Sequence, residues 1–204
     1  MAKPQHPDDT AVFLNVPFDR AYEPLFVALV AALTALGRTP RCVLEIPDHG
    51  QGRLNRIMEH LESCAVSIHD LSRVGMPARF NMPFELGLAY AIRTLSMPQS
   101  PYRFVLLEKI PHRLNRTLSD MAAHDPGIHQ GKPLGMISCV LDALGTGKLG
   151  PAAEEVHDMW RTLMKAARRL KDAEGKDTIY SAALFKRLAA AATELAVRAD
   201  FIPA

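Results

Sequence analysis

Short apolar runs alternate with longer amphipathic stretches from residue 11 to about residue 123, and this alternation constrains the fold more than any other feature. Compact β-branched and aromatic runs are typical of buried strands, whereas apolar residues three and four positions apart indicate helices. The predicted strands are residues 11–16, 41–46, 65–68 and 103–107. The predicted helices are residues 22–36, about 54–61, 83–95 and 113–123. This order predicts a parallel sheet, wound in the right-handed sense, with helices on its faces.

The chain after residue 123 follows a different pattern. Residues 133–144 are either one helix or a strand followed by a helix, and the residues leave this open. Residues 145–151 contain three Gly and one Pro and form the clearest linker. Ala-rich stretches at residues 152–171 and 178–198 predict a helical pair that either covers the sheet or forms a dimer contact. The sequence therefore predicts an α/β domain, residues 1–145, and a helical extension, residues 151–204.

The third predicted strand ends abruptly in His69 and Asp70, and the next predicted helix has Pro83 at its first position and Glu85 in its first turn. Loops after parallel strands emerge at one edge of the sheet, where open α/β sheets bind ligands. We expect this edge to be the active site. The polar residues expected to converge there are Asn15, Asp19, Arg20, Glu45, His49, His69, Asp70, Arg73 and Glu85.

Glu85 has an ordinary explanation, because acidic residues in the first turn of a helix interact favourably with the helix dipole. However, its spacing from Asn81 does not fit a capping box, and residues 82–89 are mostly apolar. We therefore expect a helix that is buried on every side, with a carboxylate that the dipole keeps ionised. His69 and Asp70 also have an ordinary alternative, as polar residues that end a strand and cap a turn.

An ionised carboxylate in an apolar pocket stabilises positive charge that develops during a reaction. Cleavage of the bond between ribose and base passes through an oxocarbenium-like transition state, which a carboxylate stabilises or traps covalently. Asp70 or His69 would hold the ribose hydroxyls or assist the departing base. This chemistry needs no metal, and the three candidate ligands further along have no regular metal-ligand spacing: His124, Asp125 and His129.

Composition and motifs exclude several classes of protein. A formal net charge of +2 provides neither a basic surface for nucleic acid nor an acidic tail. Three cysteines without a C-x-x-C pair disfavour a disulfide framework and a structural zinc site. Residues 145–148, G-T-G-K, lack the upstream Gly and the following Ser or Thr of a phosphate-binding loop. Without a signal-peptide pattern or a long apolar run, we expect a cytoplasmic protein that does not contact membranes.

Three segments carry a resemblance to a known superfamily. They are V-F-L-N-V-P-F-D at residues 12–19, S-I-H-D-L-S-R at residues 67–73 and R-F-N-M-P-F-E-L-G-L-A at residues 79–89. The chain resembles the superfamily that joins nucleoside 2-deoxyribosyltransferases with Toll/interleukin-1-receptor-like (TIR-like) NAD-cleaving domains. It is most similar to a bacterial branch of which many members are presumed to act in defence against phage. The likeness covers residues 12–144 and agrees with a flavodoxin-like (Rossmannoid) α/β fold.

The resemblance implies roles for individual residues. Glu85 matches the glutamate that is the nucleophile of the deoxyribosyltransferases and is catalytic in the TIR-like NAD hydrolases. Asp70 corresponds to the acidic residue near the substrate's sugar or base. The predicted substrate-binding residues are Asn15, Asp19, Arg20, His49, His69, Arg73 and Asn81. The C-terminal helical pair lies outside the shared pattern, and self-association is common in the superfamily, so a homo-oligomer is expected.

Three functions stay open. The first is an enzyme that cleaves the N-glycosidic bond of NAD or a related nucleotide or nucleoside, with Glu85 and Asp70 as catalytic residues. The second is a nucleoside 2-deoxyribosyltransferase that uses the same glutamate. The third is a non-enzymatic module for nucleotide binding or signalling. Each has a nucleotide or nucleoside as partner, with NAD as a substrate rather than a cofactor, and without direct binding of nucleic acid.

Overall fold

A computed structural model describes residues 7–45, 52–73, 79–96, 103–121, 123–145 and 150–203. The described chain forms a five-stranded sheet in which every strand pairing is parallel. The strands are β1 (Asp8–Asn15), β2 (Thr39–Arg41), β3 (Cys64–Asp70), β4 (Arg103–Glu108) and β5 (Gly127–Ile128). Their spatial order, β2-β1-β3-β4-β5, is that of flavodoxin-like folds. The predicted fold class is therefore confirmed.

Helices cover both faces of the sheet in the described chain. They are α1 (Glu23–Ala35), α2 (Arg53–Ser63), α3 (Asn81–Ala91), α4 (Leu114–Thr117), α5 (Pro133–Leu144), α6 (Ala153–Glu174) and α7 (Ala182–Arg198). A π-helical segment, Ile92–Ser96, continues α3, and a 3₁₀ turn, Ser119–Met121, follows α4. α2 and α3 pack on one face, and α1 and α5 pack on the other. None of the described helices combines the length and hydropathy that crossing a membrane requires.

α1 is the centre of the core, because every one of its residues except Pro24 is buried. It lies between the sheet on one side and α5, α6 and α7 on the others. Its sequence explains this position, since Leu, Val, Phe and Ala occupy the whole circumference and an all-apolar helix needs cover on every side.

The C-terminal helices α6 and α7 form a second helical layer on this core. They pack against α1, and α6 also contacts α5. Trp160 Nε1 donates a hydrogen bond to the Pro24 carbonyl at 3.0 Å. Glu23, the first residue of α1, pairs with Lys171 of α6 and accepts a hydrogen bond from the Ile179 N–H at 3.1 Å. Within one chain, the helical extension therefore covers the same core that the sheet supports.

β2 is shorter and lies earlier than the predicted strand. The apolar pattern predicts residues 41–46, whereas β2 covers Thr39–Arg41. The carboxylate of Glu45 accepts a hydrogen bond from the Cys42 N–H at 2.8 Å and pairs with Arg41. The strand ends there because this side chain closes a turn, and Cys42 fills the core without pairing in the sheet.

α3 begins at Asn81, two residues before the predicted start. Glu85 therefore lies in the second turn, beyond the part of the helix where the dipole acts most strongly. The expectation of a helix buried on every side is wrong, because Phe80 and Phe84 at the start of α3 are 78% and 57% exposed. One face of α3 packs on the sheet, and the other carries these aromatic rings.

Residues 133–144 form one helix, α5, which settles the choice that the sequence left open. The sequence does not predict β5, a two-residue strand within an apparent loop. A Cβ atom added at Gly127 would lie 2.9 Å from the Cβ of Cys139 on α5. Glycine therefore allows β5 to lie close enough to α5 to join the sheet edge.

Candidate functional site

Strand register divides the polar residues at the carboxyl edge of the sheet into two groups. Asn15 and His69 are partners on the neighbouring strands β1 and β3, on the face that α2 and α3 cover. Asp70 follows His69 in an extended strand, so its side chain points to the opposite face, covered by α1 and α5. Both groups lie where the strand order reverses between β1 and β3, the usual position of ligands in open α/β sheets.

His69 is completely buried and is held by two side chains. Its Nδ1 lies 2.9 Å from Asn15 Nδ2, and its Nε2 lies 2.8 Å from Ser67 Oγ. The amide nitrogen of Asn15 can only donate, so Nδ1 accepts and the ring proton resides on Nε2. Burial lowers the pKa of His69 to about 3. The histidine is therefore a neutral connector that fixes the orientation of Asn15.

Glu85 lies on the same face of the sheet, and its side chain is 5% exposed. Oε1 accepts a hydrogen bond from Asn81 Nδ2 at 3.3 Å and lies 4.0 Å from the Arg53 guanidinium. Oε2 meets no partner with hydrogen-bond geometry among the described residues, although the Asn15 amide lies near enough to lower the pKa of the carboxyl. Burial raises the pKa of Glu85, and the opposing effects of Asn81, Arg53 and Asn15 offset this only in part. The net effect is a pKa above the ordinary value for glutamate, in the direction opposite to the one that a helix dipole would cause.

Asp70, on the other face, has a carboxylate whose oxygens are fully engaged. Oδ2 accepts hydrogen bonds from Tyr22 Oη at 2.5 Å and from His129 Nε2 at 3.2 Å, and Oδ1 accepts one from the Ser72 N–H at 2.8 Å. Burial acts to raise the pKa of Asp70, but these partners together hold it below its ordinary value. Burial and Asp70 raise the pKa of Tyr22, so its hydroxyl stays a donor. Asp70 therefore joins the loops after β1, β3 and β5.

Ser72, His129 and Asp70 lie together, but they are not a nucleophile triad. Ser72 Oγ lies 3.0 Å from His129 Nε2, the same nitrogen that faces Asp70. Nδ1 of His129 accepts a hydrogen bond from the Gly131 N–H at 2.9 Å, so the ring proton resides on Nε2. A triad needs an unprotonated nitrogen facing the serine. Here that nitrogen is a donor, and the arrangement fixes the loops.

A cleft of about 690 Å³ opens beside this second group, at the same edge of the sheet. Arg73 donates to Asp19 Oδ1 at 2.6 Å, and Arg79 lies 3.7 Å from Asp19 Oδ2. The Arg79 N–H also donates to the Arg73 carbonyl at 3.2 Å, which brings the two arginines together. The cationic side chains that line the cleft are Arg73, Arg79, Lys109 and Arg113. A smaller cavity of about 260 Å³ shares Arg73 and Arg79 with it.

The predicted site residues are thus separated by the sheet. Those brought together on the α2/α3 face are Asn15, His69, Asn81 and Glu85. Those at or behind the cleft are Asp19, Asp70 and Arg73. Arg20 is exposed in the loop after β1, and His49 lies outside the described residues. Glu85 lines neither the cleft nor the smaller cavity beside it.

Several residues of the site were missed from the sequence. Tyr22 fits a helix pattern as an apolar residue, so nothing in its position indicates a hydrogen bond to Asp70. His129 follows β5, and a predicted strand there would have placed it at the same edge as Asp70. Lys109 follows β4 directly and Arg113 ends the same loop, so a parallel β4 predicts that both lie at the carboxyl edge of the sheet.

Neither a metal site nor a dinucleotide-binding turn is found in the described chain. No group of three or more His, Cys, Asp or Glu side chains is placed there to hold a metal ion. Residues 145–150 read G-x-G-x-x-G, but they follow α5 instead of a strand. They therefore lack the strand-to-helix context of a dinucleotide-binding turn.

The fold and its edge define an α/β protein with polar groups at the switch point of a parallel sheet. A scan against models of known protein families found no match, and searches of curated proteins and of solved structures found no significant match. The likeness of residues 12–19, 67–73 and 79–89 to the TIR-like superfamily therefore stays a resemblance.

Proposed function

We propose that this chain cleaves the N-glycosidic bond of NAD or a related nucleotide, with Glu85 as the catalytic carboxylate. The observation that carries the proposal is the state of Glu85: it is buried at the switch point, and its Oε2 meets no partner with hydrogen-bond geometry among the described residues. Burying a carboxylate without satisfying it costs free energy. Such a cost is typical of functional carboxylates, which gain their partner when a ligand binds.

The chemistry follows from this environment. As the bond between the ribose carbon and the base breaks, its electron pair leaves with the base and the sugar acquires oxocarbenium character. Oε2 of ionised Glu85 stabilises that charge strongly because few hydrogen bonds and little water screen it. The same oxygen can also bond to the sugar carbon, and water then hydrolyses the ester. Without the covalent step, water adds directly to the sugar carbon, and in either case a free base, a free sugar hydroxyl and a proton result.

The neighbours of Glu85 serve as positioning residues in this proposal. Asn81 holds Oε1, so that the second oxygen is left for the ligand. Asn15 is held by His69, and His69 is held by Ser67. These hydrogen bonds fix the orientation of the Asn15 amide and of the His69 ring. We assign to Asp70 the positioning of the loops that line the cleft, because its oxygens are engaged on the other face of the sheet, and its expected catalytic role stays a prediction.

The test is to incubate purified protein with NAD, NADP and a panel of nucleosides and to measure release of free base by chromatography. The wild-type protein should release base from at least one of them, and Glu85→Gln should abolish the release. Glu62→Gln, on the exposed side of α2, is the matched control and should retain it. Absence of release from every substrate, or full activity in Glu85→Gln, would refute the proposal.

The same experiment separates the alternatives. A second free base added to the reaction is incorporated by a deoxyribosyltransferase and ignored by a hydrolase. Binding of a nucleotide without base release in any assay would favour the binding or signalling module.

We also propose that the protein works in the cytoplasm, since the free thiols of Cys42, Cys64 and Cys139 agree with a reducing compartment. A role in anti-phage defence is part of the same proposal.

Of the two expectations for the helical pair, packing on the core or forming an oligomer contact, the contacts within one chain favour the first. The homo-oligomer stays a prediction that would use another surface. The apolar faces of α6 and α7 are already buried against α1 and α5, so they are not available to a second copy. Sizing of the purified protein by light scattering would show the oligomeric state directly.

A further inference from the structure

The cleft on the α1/α5 side is separate from Glu85, which is not among its lining residues. Loops after four strands form its walls: residues 19–25 after β1, Ser72 and Arg73 after β3, Lys109 to Arg113 after β4, and His129 and Gly131 after β5. The hydrogen bonds of Asp70 hold three of these loops together from behind. The cleft is thus a supported cavity at the edge where this fold binds ligands.

Positive charge in the cleft exceeds negative charge. Among the described residues that line the cleft, Asp19 is the only carboxylate, and it is shared by Arg73 and Arg79. Arg113 is neutralised by the buried Glu108 behind it, and it also donates to the Ser72 carbonyl at 2.8 Å. In the part of the chain that the structure describes, Lys109 makes no ion pair. Lys109 and one of the two arginines that share Asp19 therefore have no carboxylate of their own among the described lining residues.

The backbone adds to the positive electrostatic potential in the cleft. α1 and α5 both begin at the cleft, and the positive ends of their dipoles lie there. Gly131, at a φ of +72°, precedes α5, and a Cβ at this position would lie 3.0 Å from Lys109 Cε. The glycine thus lets the Lys109 side chain lie against the turn that begins α5. A lysine, paired arginines and helix N-termini are the groups with which proteins bind phosphate.

We infer that this cleft binds a phosphate-bearing ligand. The phosphate takes Lys109 and the two arginines as its donors, and it displaces Asp19 from at least one arginine. Asp19 therefore competes with the ligand in the empty cleft. Its carboxylate stays attached to the chain through the hydrogen bond that Oδ1 accepts from the Tyr22 N–H at 3.0 Å. The inference does not depend on base release, because the cleft and Glu85 lie on opposite faces of the sheet.

Titration calorimetry with sodium pyrophosphate at low salt tests the inference, with two variants of opposite expected effect. Lys109→Gln should weaken binding by about tenfold, the usual effect of losing one charged hydrogen bond. Asp19→Asn should tighten binding severalfold, because it frees two arginines while its side-chain oxygen can still accept from Tyr22. Lys186→Gln, an exposed charge change on α7, is the matched control and should leave the Kd unchanged.

Failure to bind pyrophosphate, or equal effects of Lys109→Gln and Lys186→Gln, would overturn the inference. A loss of binding in Asp19→Asn would also overturn it. Glu85→Gln should bind pyrophosphate as the wild type does, so this measurement is independent of the proposed enzyme activity. If the phosphate belongs to the nucleotide substrate, pyrophosphate and NAD compete for binding. If a separate phosphate compound occupies the cleft, both bind at once.

Discussion

Asn15 Nδ2 lies 2.9 Å from His69 Nδ1, and the two residues are register partners on β1 and β3. Because an amide nitrogen only donates, this contact places the ring proton of His69 on the nitrogen that faces Ser67. The pKa of about 3 agrees with a ring that stays neutral across the physiological range. His69 consequently supports the site without acting as an acid or a base.

Acid should destabilise the protein through its buried histidines. Burial lowers the pKa of His69 to about 3 and that of His60 to about 4, whereas the ordinary value is 6.5. The unfolded chain therefore binds protons first, and the stability present above pH 6.5 is lost as the pH falls below it. Each histidine should contribute a loss of about 1 kcal/mol per pH unit between the ordinary pKa of 6.5 and its own folded-state pKa, about 3 for His69 and about 4 for His60.

Urea denaturation of the wild type, His69→Asn and His112→Asn at several pH values would measure this loss. His69→Asn should show a smaller decrease of stability between pH 6.5 and pH 4.5. The matched change His112→Asn should follow the wild type, since His112 is exposed and asparagine tolerates its φ of 60°. If the free energy of unfolding changed equally with pH in all three proteins, a buried neutral His69 would be contradicted.

Glu85→Gln should maintain or raise the stability while it abolishes base release. Burial raises the pKa of Glu85, so the folded state loses stability relative to the unfolded state as the pH rises above the ordinary glutamate value. Removing the charge should raise the free energy of unfolding at pH 7 by up to about 1 kcal/mol. The difference should vanish in acid, where the wild-type carboxyl is protonated. A variant clearly less stable than the wild type at pH 7 would contradict this account, and Glu62→Gln is the control.

The rate of base release should fall in acid with an apparent pKa above 4.5, the ordinary value for glutamate. The reaction needs ionised Glu85, and burial shifts its protonation to higher pH. A pH profile of kcat/KM for the best substrate would measure this apparent pKa. An apparent pKa at or below the ordinary value for glutamate would show that another group controls the rate.

Trp160→Ala should lower stability and leave the oligomeric state unchanged. The indole of Trp160 packs on the core and donates to the Pro24 carbonyl at 3.0 Å, so it joins α6 to α1 within one chain. We expect a loss of about 2–3 kcal/mol, below that of a fully buried tryptophan. Trp160→Phe keeps most of the contact area and should lose about 1 kcal/mol. A smaller species in light scattering would instead indicate an interface between copies.

Gly135→Ala should be destabilising, and Gly87→Ala should be stabilising. A Cβ at Gly135 on α5 would lie 2.5 Å from the His129 carbonyl oxygen, so the loop must move at a cost of about 2 kcal/mol. At Gly87, a Cβ meets nothing within 4 Å among the described atoms, and alanine should add about 0.5–1 kcal/mol to helix α3. Thermal denaturation should show a lower Tm for Gly135→Ala and a higher Tm for Gly87→Ala than for the wild type.

Much of the fold can be predicted from the sequence, because strands and helices with a long pattern depend on local periodicity. The strands β1, β3 and β4 and the helices α1, α6 and α7 all lie close to their predicted positions. β5 could not be predicted, because two residues carry no periodicity and their strand character depends on pairing with β4. The end of β2 depends on one side-chain contact, that of Glu45 with Cys42.

The candidate site was predicted less completely than the fold. Sequence order places Asn15, Asp70 and Glu85 at one edge, since parallel strands expose their carboxyl ends together. The predicted strand stops at residue 68, whereas β3 continues to Asp70, so the alternation that sends His69 and Asp70 to opposite faces was not recognised. Sequence order also does not reveal that Asp70 is engaged by Tyr22 and His129, which are distant from it along the chain.

The sequence alone determined the parallel α/β architecture and the edge at which its polar residues gather, because both follow from the order of short-range patterns. Only the tertiary structure decided which of those residues share a face and which oxygen lacks a partner. Those features depend on strand register and on contacts between residues far apart in the chain. The buried, partly unsatisfied Glu85 and the cationic cleft around Asp19 are therefore visible only in the folded molecule.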